Sequence, residues 1–182
     1  MVLAGMFAAL TAVGAFIKIP IPFVPFTLQF FFVLLAGSLL GSRVGMLSQA
    51  AYIITGLIGI PVFAYGGGPS YVLQPTFGYL LGYVLTAYLV GRLTEGRPGP
   101  VFRHYLRANL LGMLVTYLFG VLYLYGIVNL VLGRPMAFKD ALWFGAVLCS
   151  PGDILLSVIA ARVSVRMVRA LPQLQKEAVR VE

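Results

Sequence analysis

"LCSPGDILLSV", Leu148 to Val158, sets one acid, Asp153, among leucines, valines and small residues. In a soluble domain this would be an ordinary surface carboxylate. In lipid it costs about 2.5–3.5 kcal/mol at the centre of a membrane helix and calls for a reason. The rest of the chain argues for lipid. Hydrophobic types make up 60% of its 182 residues and charged types 10%, against about 25% charged in a soluble domain. Mean hydropathy is +0.98. There are too few charges to cover a water-facing surface, so the lipid bilayer is an expected partner.

Working outward from Asp153, apolar runs recur along the chain. A helical span needs about 20 mainly apolar residues. Six stretches are expected to cross: Val2–Ile17, Leu28–Leu40, Val44–Ile60, Thr76–Gly91, Leu106–Val131 and Pro151–Val168. The second is short and must extend into its flanks. No polar stretch is long enough for a second domain, so residues 1–182 are expected to form one integral-membrane domain, all-α. The first apolar run has no charged region before it and is expected to be a retained span rather than a signal peptide.

The net charge of +8 does not point to nucleic acid, because the basic residues are dispersed. With the N-terminus inside, the inner loops and tail hold Arg43, Arg92, Arg97, Arg103, Arg107, Arg162, Arg166, Arg169, Lys176 and Arg180. The outer loops hold only Lys18, Arg134 and Lys139. That bias places both termini in the cytoplasm of a multi-pass cell-membrane protein. On the outer side, Pro25, Pro75 and Pro151 each precede or open a span, where a missing N–H costs nothing. Thr27 is a plausible helix cap there.

The single cysteine, Cys149, excludes an internal disulfide and a cysteine-based metal cluster. It reads as a small buried apolar residue. His104 stands alone on a basic loop. No triad, metal cluster or paired carboxylates occur, and Asp153 has no second acid or base in any outer-half span to work with. The chain is expected to be no enzyme, with no metal and no cofactor.

Asp153 has two compatible readings. "SPGD" fits a variant capping box, with Ser150 as the cap, Pro151 in the first position and Asp153 reaching back from the third. Intramembrane acids also face the bundle interior or a water-filled cavity. Leu156, three residues on, shares its face. "YGGGPSYVLQPTFGYLLG", Tyr65–Gly82, breaks helical periodicity with glycines and prolines. Irregular backbone at membrane depth lines a cavity or lies buried in protein. Gly66, Gly67 and Gly68 offer backbone N–H groups to an anion. Ser70, Tyr71 and Thr76 add hydroxyls. The alternative is a plain flexible connection. "KIPIPFVPFTLQ", Lys18–Gln29, reads as a stiff, extended outer loop that delivers Gln29 into the second span, as a ligand contact or as a helix-to-helix hydrogen bond. Tyr117, Tyr123 and Tyr125 either line a pocket or belong to an aromatic belt.

Two further patterns concern partners. Ala4, Ala8 and Ala12 recur every four residues and would let another helix approach closely. Arg162, Arg166 and Arg169 share one face at the inner end of the last span, either snorkelling to anionic lipid or docking a cytoplasmic partner.

Together, "ALTAVGAFIKIPIPFVPFTLQ", "GLIGIPVFAYGGGPSYVLQPTFGYLLG" and "SPGDILLS", in this order over nearly the whole chain, resemble the BioY family, the biotin-binding S components of energy-coupling factor transporters. The resemblance implies a six-helix protein that captures biotin from outside. A transmembrane T component and two cytoplasmic ATPases then drive uptake. It also implies that the alanine row of the first span contacts the T component. No nucleotide-binding motif occurs in the chain, in keeping with an ATPase supplied by partners. One departure stands out. The family commonly reads PGDxxK, and the lysine position here is Leu156. That leaves lipoate or dethiobiotin as alternative ligands on the same fold. A self-sufficient carrier is the alternative from another class.

Overall fold

Helices dominate the computed structural model, which describes residues 1–96 and 99–170. Helix α1 (Val2–Phe16) leads into a short antiparallel ribbon, β1 (Lys18–Ile19) with β2 (Phe26–Thr27), where Lys18 pairs with Thr27 and Ile19 with Phe26. Pro20, Pro22 and Pro25 lie between or beside the strands, lack N–H donors and keep the ladder short. Helix α2 (Gln29–Leu57) follows, then a 3-10 turn (Pro69–Leu73), α3 (Phe77–Thr94) and α4 (Phe102–Gly126). Helix α4 widens into a π turn at Ile127–Val131. After a loop, α5 (Phe138–Leu142), a second π turn (Trp143–Val147) and α6 (Ser150–Ala170) make one helical path. Gln29–Leu57, Phe102–Val131 and Phe138–Ala170 are long and apolar enough to cross a membrane.

Helix α2 reverses at Gly41, whose φ of 78° and ψ of −178° leave the helical region. Glycine adopts such a φ at no steric cost. A Cβ on Gly45 would lie 3.0 Å from the Ala36 carbonyl oxygen, and the Gln29 side chain meets the Tyr52 hydroxyl at 2.6 Å. Along a straight helix these pairs would be about 13 and 35 Å apart, at ~1.5 Å per residue. The run is therefore a helical hairpin. It joins two stretches expected as separate spans, and the turn between them is tighter than the sequence indicated.

Glu95 fastens this turn. Its carboxylate accepts from the Ser42 backbone N–H at 2.8 Å and the Ser42 hydroxyl at 2.9 Å, where the second leg begins and its dipole favours an anion. Arg92 Nη1 pairs with the same carboxylate at 3.3 Å. Gly91 permits the approach, since a Cβ there would come within 2.3 Å of the Ser42 nitrogen.

The core lies where α2, α3, α4 and α6 meet, around Val33, Leu34, Ala87, Val90 and Ala160. Buried polar contacts cross it. The Thr86 hydroxyl lies 2.8 Å from both the Gly112 carbonyl and the Thr116 hydroxyl, and Asn109 donates to the Ser157 carbonyl at 3.0 Å. Such bonds hold helices together where lipid supplies no hydrophobic drive. Leu111, Leu114, Leu118 and Leu122 stand exposed on the outside of α4, a patch that only lipid or protein would cover.

Several local expectations are corrected. Thr27 does not cap a helix: it lies in β2, and Leu28 holds the capping position of α2. The capping box at Ser150 is not formed either. The helical path begins at Phe138, and the Ser150 hydroxyl donates backwards to the Val147 carbonyl at 2.9 Å. That carbonyl lies four residues before Pro151, whose missing N–H would have been its partner. The serine therefore repairs the gap that the proline opens. On α1, Ala4 is only 5% exposed, and Ala8 and Ala12 are half-buried against the core. Gly5, Met6, Ala9 and Val13 face outward instead. Arg162, Arg166 and Arg169 are exposed. Arg162 lies 5.9 Å from the Phe102 ring centre, and Arg169 donates to the Pro100 carbonyl at 3.4 Å, so two of the three also pin α6 to the start of α4. Arg97, Lys176 and Arg180 lie outside the described residues.

Candidate functional site

One end of the bundle holds a cavity of about 550 Å³, open mouth included. Its walls come from six places. The ribbon loop supplies Val24, Pro25, Phe26 and Thr27, and the start of α2 gives Gln29 and Phe30. Ala64 and Tyr71 come from the glycine-rich connection, and Thr76, Tyr79, Leu80 and Tyr83 from the start of α3. Thr116 and Tyr117 of α4, with Gly145, Cys149 and Asp153 of the last helical path, close the far side.

Asp153 is 8% exposed. One carboxylate oxygen accepts the Tyr117 hydroxyl at 2.5 Å, the one hydrogen bond its side chain makes among the described residues. Gln29 is held at both ends. Its carbonyl accepts from Thr27 at 3.1 Å, and its amide donates to Tyr52 at 2.6 Å. Tyr52 in turn donates to the Val62 carbonyl at 3.0 Å. This chain of bonds ties the ribbon, both legs of α2 and the next loop into one wall. Tyr79 donates to the Gly145 carbonyl at 2.7 Å, which fixes its ring beneath the π turn.

Tyr71 is placed by its neighbours. Its ring packs on Phe63 with centres 4.5 Å apart, and its oxygen accepts from Thr76 at 3.1 Å. Burial pushes its phenol above the ordinary value, and the Thr76 hydrogen bond opposes that rise. The ring is therefore a neutral, polar-tipped wall at physiological pH.

Of the residues singled out from sequence, Asp153, Gln29, Tyr71, Thr76 and Tyr117 line this cavity. Gly66, Gly67, Gly68, Ser70 and Leu156 do not. Two of the three glycine N–H groups are already engaged. Gly66 donates to the Phe63 carbonyl at 3.2 Å and Gly68 to the Gly56 carbonyl at 2.7 Å. A Cβ on Gly67 would sit 2.3 Å from the Ile60 carbonyl oxygen. These glycines anchor the loop to the end of α2. Ser70 is exposed. Leu156 is buried. Tyr123 donates to the Val72 carbonyl, and Tyr125 packs against Phe138 at 5.6 Å, so neither tyrosine joins the cavity wall.

Tyr79, Tyr83 and Cys149 were not singled out as cavity residues. Each carried a signal in the sequence. Thr76, Tyr79 and Tyr83 fall on one face of α3 at spacings of three and four, and Cys149 precedes Asp153 by four.

Comparison with known proteins places this architecture. A Lysinibacillus sphaericus protein described as a probable biotin transporter BioY is 44% identical, with 98% of this chain and 95% of that protein covered. The Thermotoga maritima biotin transporter BioY is 37% identical, with 90% and 92% covered. The crystal structure of an S-component for biotin from an ECF-type ABC transporter superposes with a TM-score of 0.78 over 92% of this chain and 89% of that one, at 24% identity. At that identity the likeness speaks for the fold. The BioY family model matches residues 1–173, and with so much of the sequence and the same helical scaffold accounted for, the chain belongs to the BioY family.

Proposed function

We propose that this chain is the substrate-binding (S) component of an ECF-type vitamin transporter and that its ligand is biotin. It is a transport component of the cell membrane, multi-pass, and not an enzyme, as its relatives are transporters. The observation that carries the ligand is Asp153: a carboxylate on the cavity wall with one oxygen bound to Tyr117 and no other partner among the described residues. Biotin brings two ureido N–H donors, and a buried acceptor without a donor is costly to leave bare. Phe30, Tyr79 and Tyr83 supply apolar faces for the sulfur ring.

In this reading the chain crosses the membrane six times, the α2 hairpin supplying two crossings. Both termini are cytoplasmic and the cavity faces outward, in line with the distribution of basic residues. A T component docks along α1 near Ala8 and Ala12, beside the exposed Gly5 and Ala9. Two ATPases work beneath it, near Arg162, Arg166 and Arg169. Calorimetric titration of the purified protein tests the ligand. Saturable one-to-one binding of biotin, tighter than dethiobiotin or lipoate, is expected. Heat with one of the others and none with biotin would overturn the assignment. Flux into liposomes holding this chain alone would overturn the role as a component of a larger transporter.

A further inference from the structure

The cavity lining contains no lysine, arginine or histidine, and Leu156 stands where the family motif carries a lysine. A carboxylic acid bound here needs a cation from elsewhere, and it must keep its charge away from Asp153. Lys18 sits at the rim. It pairs across the ribbon with Thr27, which lines the cavity, and its ammonium donates to the carbonyl of Ala64, another lining residue, at 2.5 Å. The ammonium also lies 4.7 Å from the centre of the Tyr65 ring. The partners of Lys18 among the described residues are thus a neutral carbonyl and a ring face. An ammonium has three donors, and here one is used.

We infer that Lys18 receives the ligand's carboxylate at the rim of the cavity and thereby sets the preference for an acid over its neutral amide. This rests on the proposed biotin-binding function and adds a residue to it. The ligand lies with its ureido end at Asp153 and its tail toward the ribbon. The two charges of the site are thus held at opposite ends of the ligand, each meeting its complement. The bond to Ala64 and the contact with Tyr65 hold the ammonium over the opening between the two outer loops, so a bound carboxylate also ties those loops together.

The test titrates the intact protein, Lys18→Met and Lys18→Arg with biotin and with biotinamide, at low and high salt. Wild type is expected to prefer biotin, with affinity that falls as salt rises. Lys18→Met should lose about 10- to 100-fold for biotin and lose the salt dependence. Its affinity for biotinamide should stay within about twofold, and Lys18→Arg should recover most of the biotin affinity. Equal losses for acid and amide would reduce Lys18 to a loop tether and overturn the inference, as would unchanged biotin binding in Lys18→Met. Wild type that binds biotin and biotinamide equally refutes Lys18's role alone. Wild type that binds neither refutes biotin as ligand, and the pair lipoate and lipoamide then decides Lys18 by the same comparison.

Discussion

Glu95 and Asp153 occupy opposite ends of the same bundle and keep different company. Helix α3 separates the two ends by about 27 Å, at ~1.5 Å for each of its 18 residues. Glu95 has a backbone N–H, a hydroxyl and a guanidinium as partners. Asp153 has one tyrosine. An acid whose oxygens are all engaged has been recruited to hold the protein's own chain. An acid left with acceptor capacity on a cavity wall is held ready for something else. The surroundings agree. Around Glu95 the backbone is packed so closely that Gly91 admits no side chain. Around Asp153 the walls are aromatic and stand apart.

The sharpest way to break this contrast is at Asp153. Asp153→Asn keeps the shape but replaces one of the two acceptor oxygens with an NH2 donor and removes the charge. A hydrogen bond to a charged group contributes roughly 1.5–3 kcal/mol, so biotin affinity should fall about 10- to 100-fold with the melting temperature little changed. Normal calorimetric affinity in the folded variant would show that the spare oxygen has no ligand.

The next effect is at the glycine loop. Gly67→Val would push a side chain into the Ile60 carbonyl, and overpacking of this kind costs about 1–3 kcal/mol. Stability should drop and affinity should drop with it, since Tyr71 is carried by the same loop. A variant with native melting temperature and weaker binding would instead point to direct contact between the loop and the ligand.

The smallest effect is expected at the other end. Glu95→Ala removes an anion from the start of a helical leg, a loss of about 1 kcal/mol. Thermal unfolding in detergent should register it while the dissociation constant for biotin stays put. If affinity falls as far as in Asp153→Asn, the two ends are coupled and the division of labour drawn above is wrong.

Much of this was legible in the sequence, for reasons that differ by residue. Apolar runs announce membrane helices because lipid leaves few alternatives, and Asp153, Gln29 and Tyr117 stood out as polar groups in those runs. Residues whose role depends on distant partners stayed hidden. Glu95 is an unremarkable loop acid until the α2 hairpin brings Ser42 to it across 53 positions. Lys18 reads as one of three outer cations until the ribbon sets it beside Ala64. Gly66, Gly67 and Gly68 read in the sequence as N–H groups on offer to an anion or as a plain connection, and the loop's folding spends those of Gly66 and Gly68 on Phe63 and Gly56. The "SPGD" motif misled for a related reason. A serine before a proline looks the same whether it caps a helix start or repairs a gap within a helical path.

The staple at Glu95 also has a meaning in time. The α2 reversal at Gly41 joins neighbouring stretches, so its two legs can meet as soon as both have left the ribosome. The acid that fastens the turn follows Ser42 by 53 residues. At synthesis rates of about 5–20 residues per second, it arrives some 3 to 10 s later, after the whole of α3 has been made. The hairpin must wait in the membrane unfastened, and the insertion of α3 is what closes it.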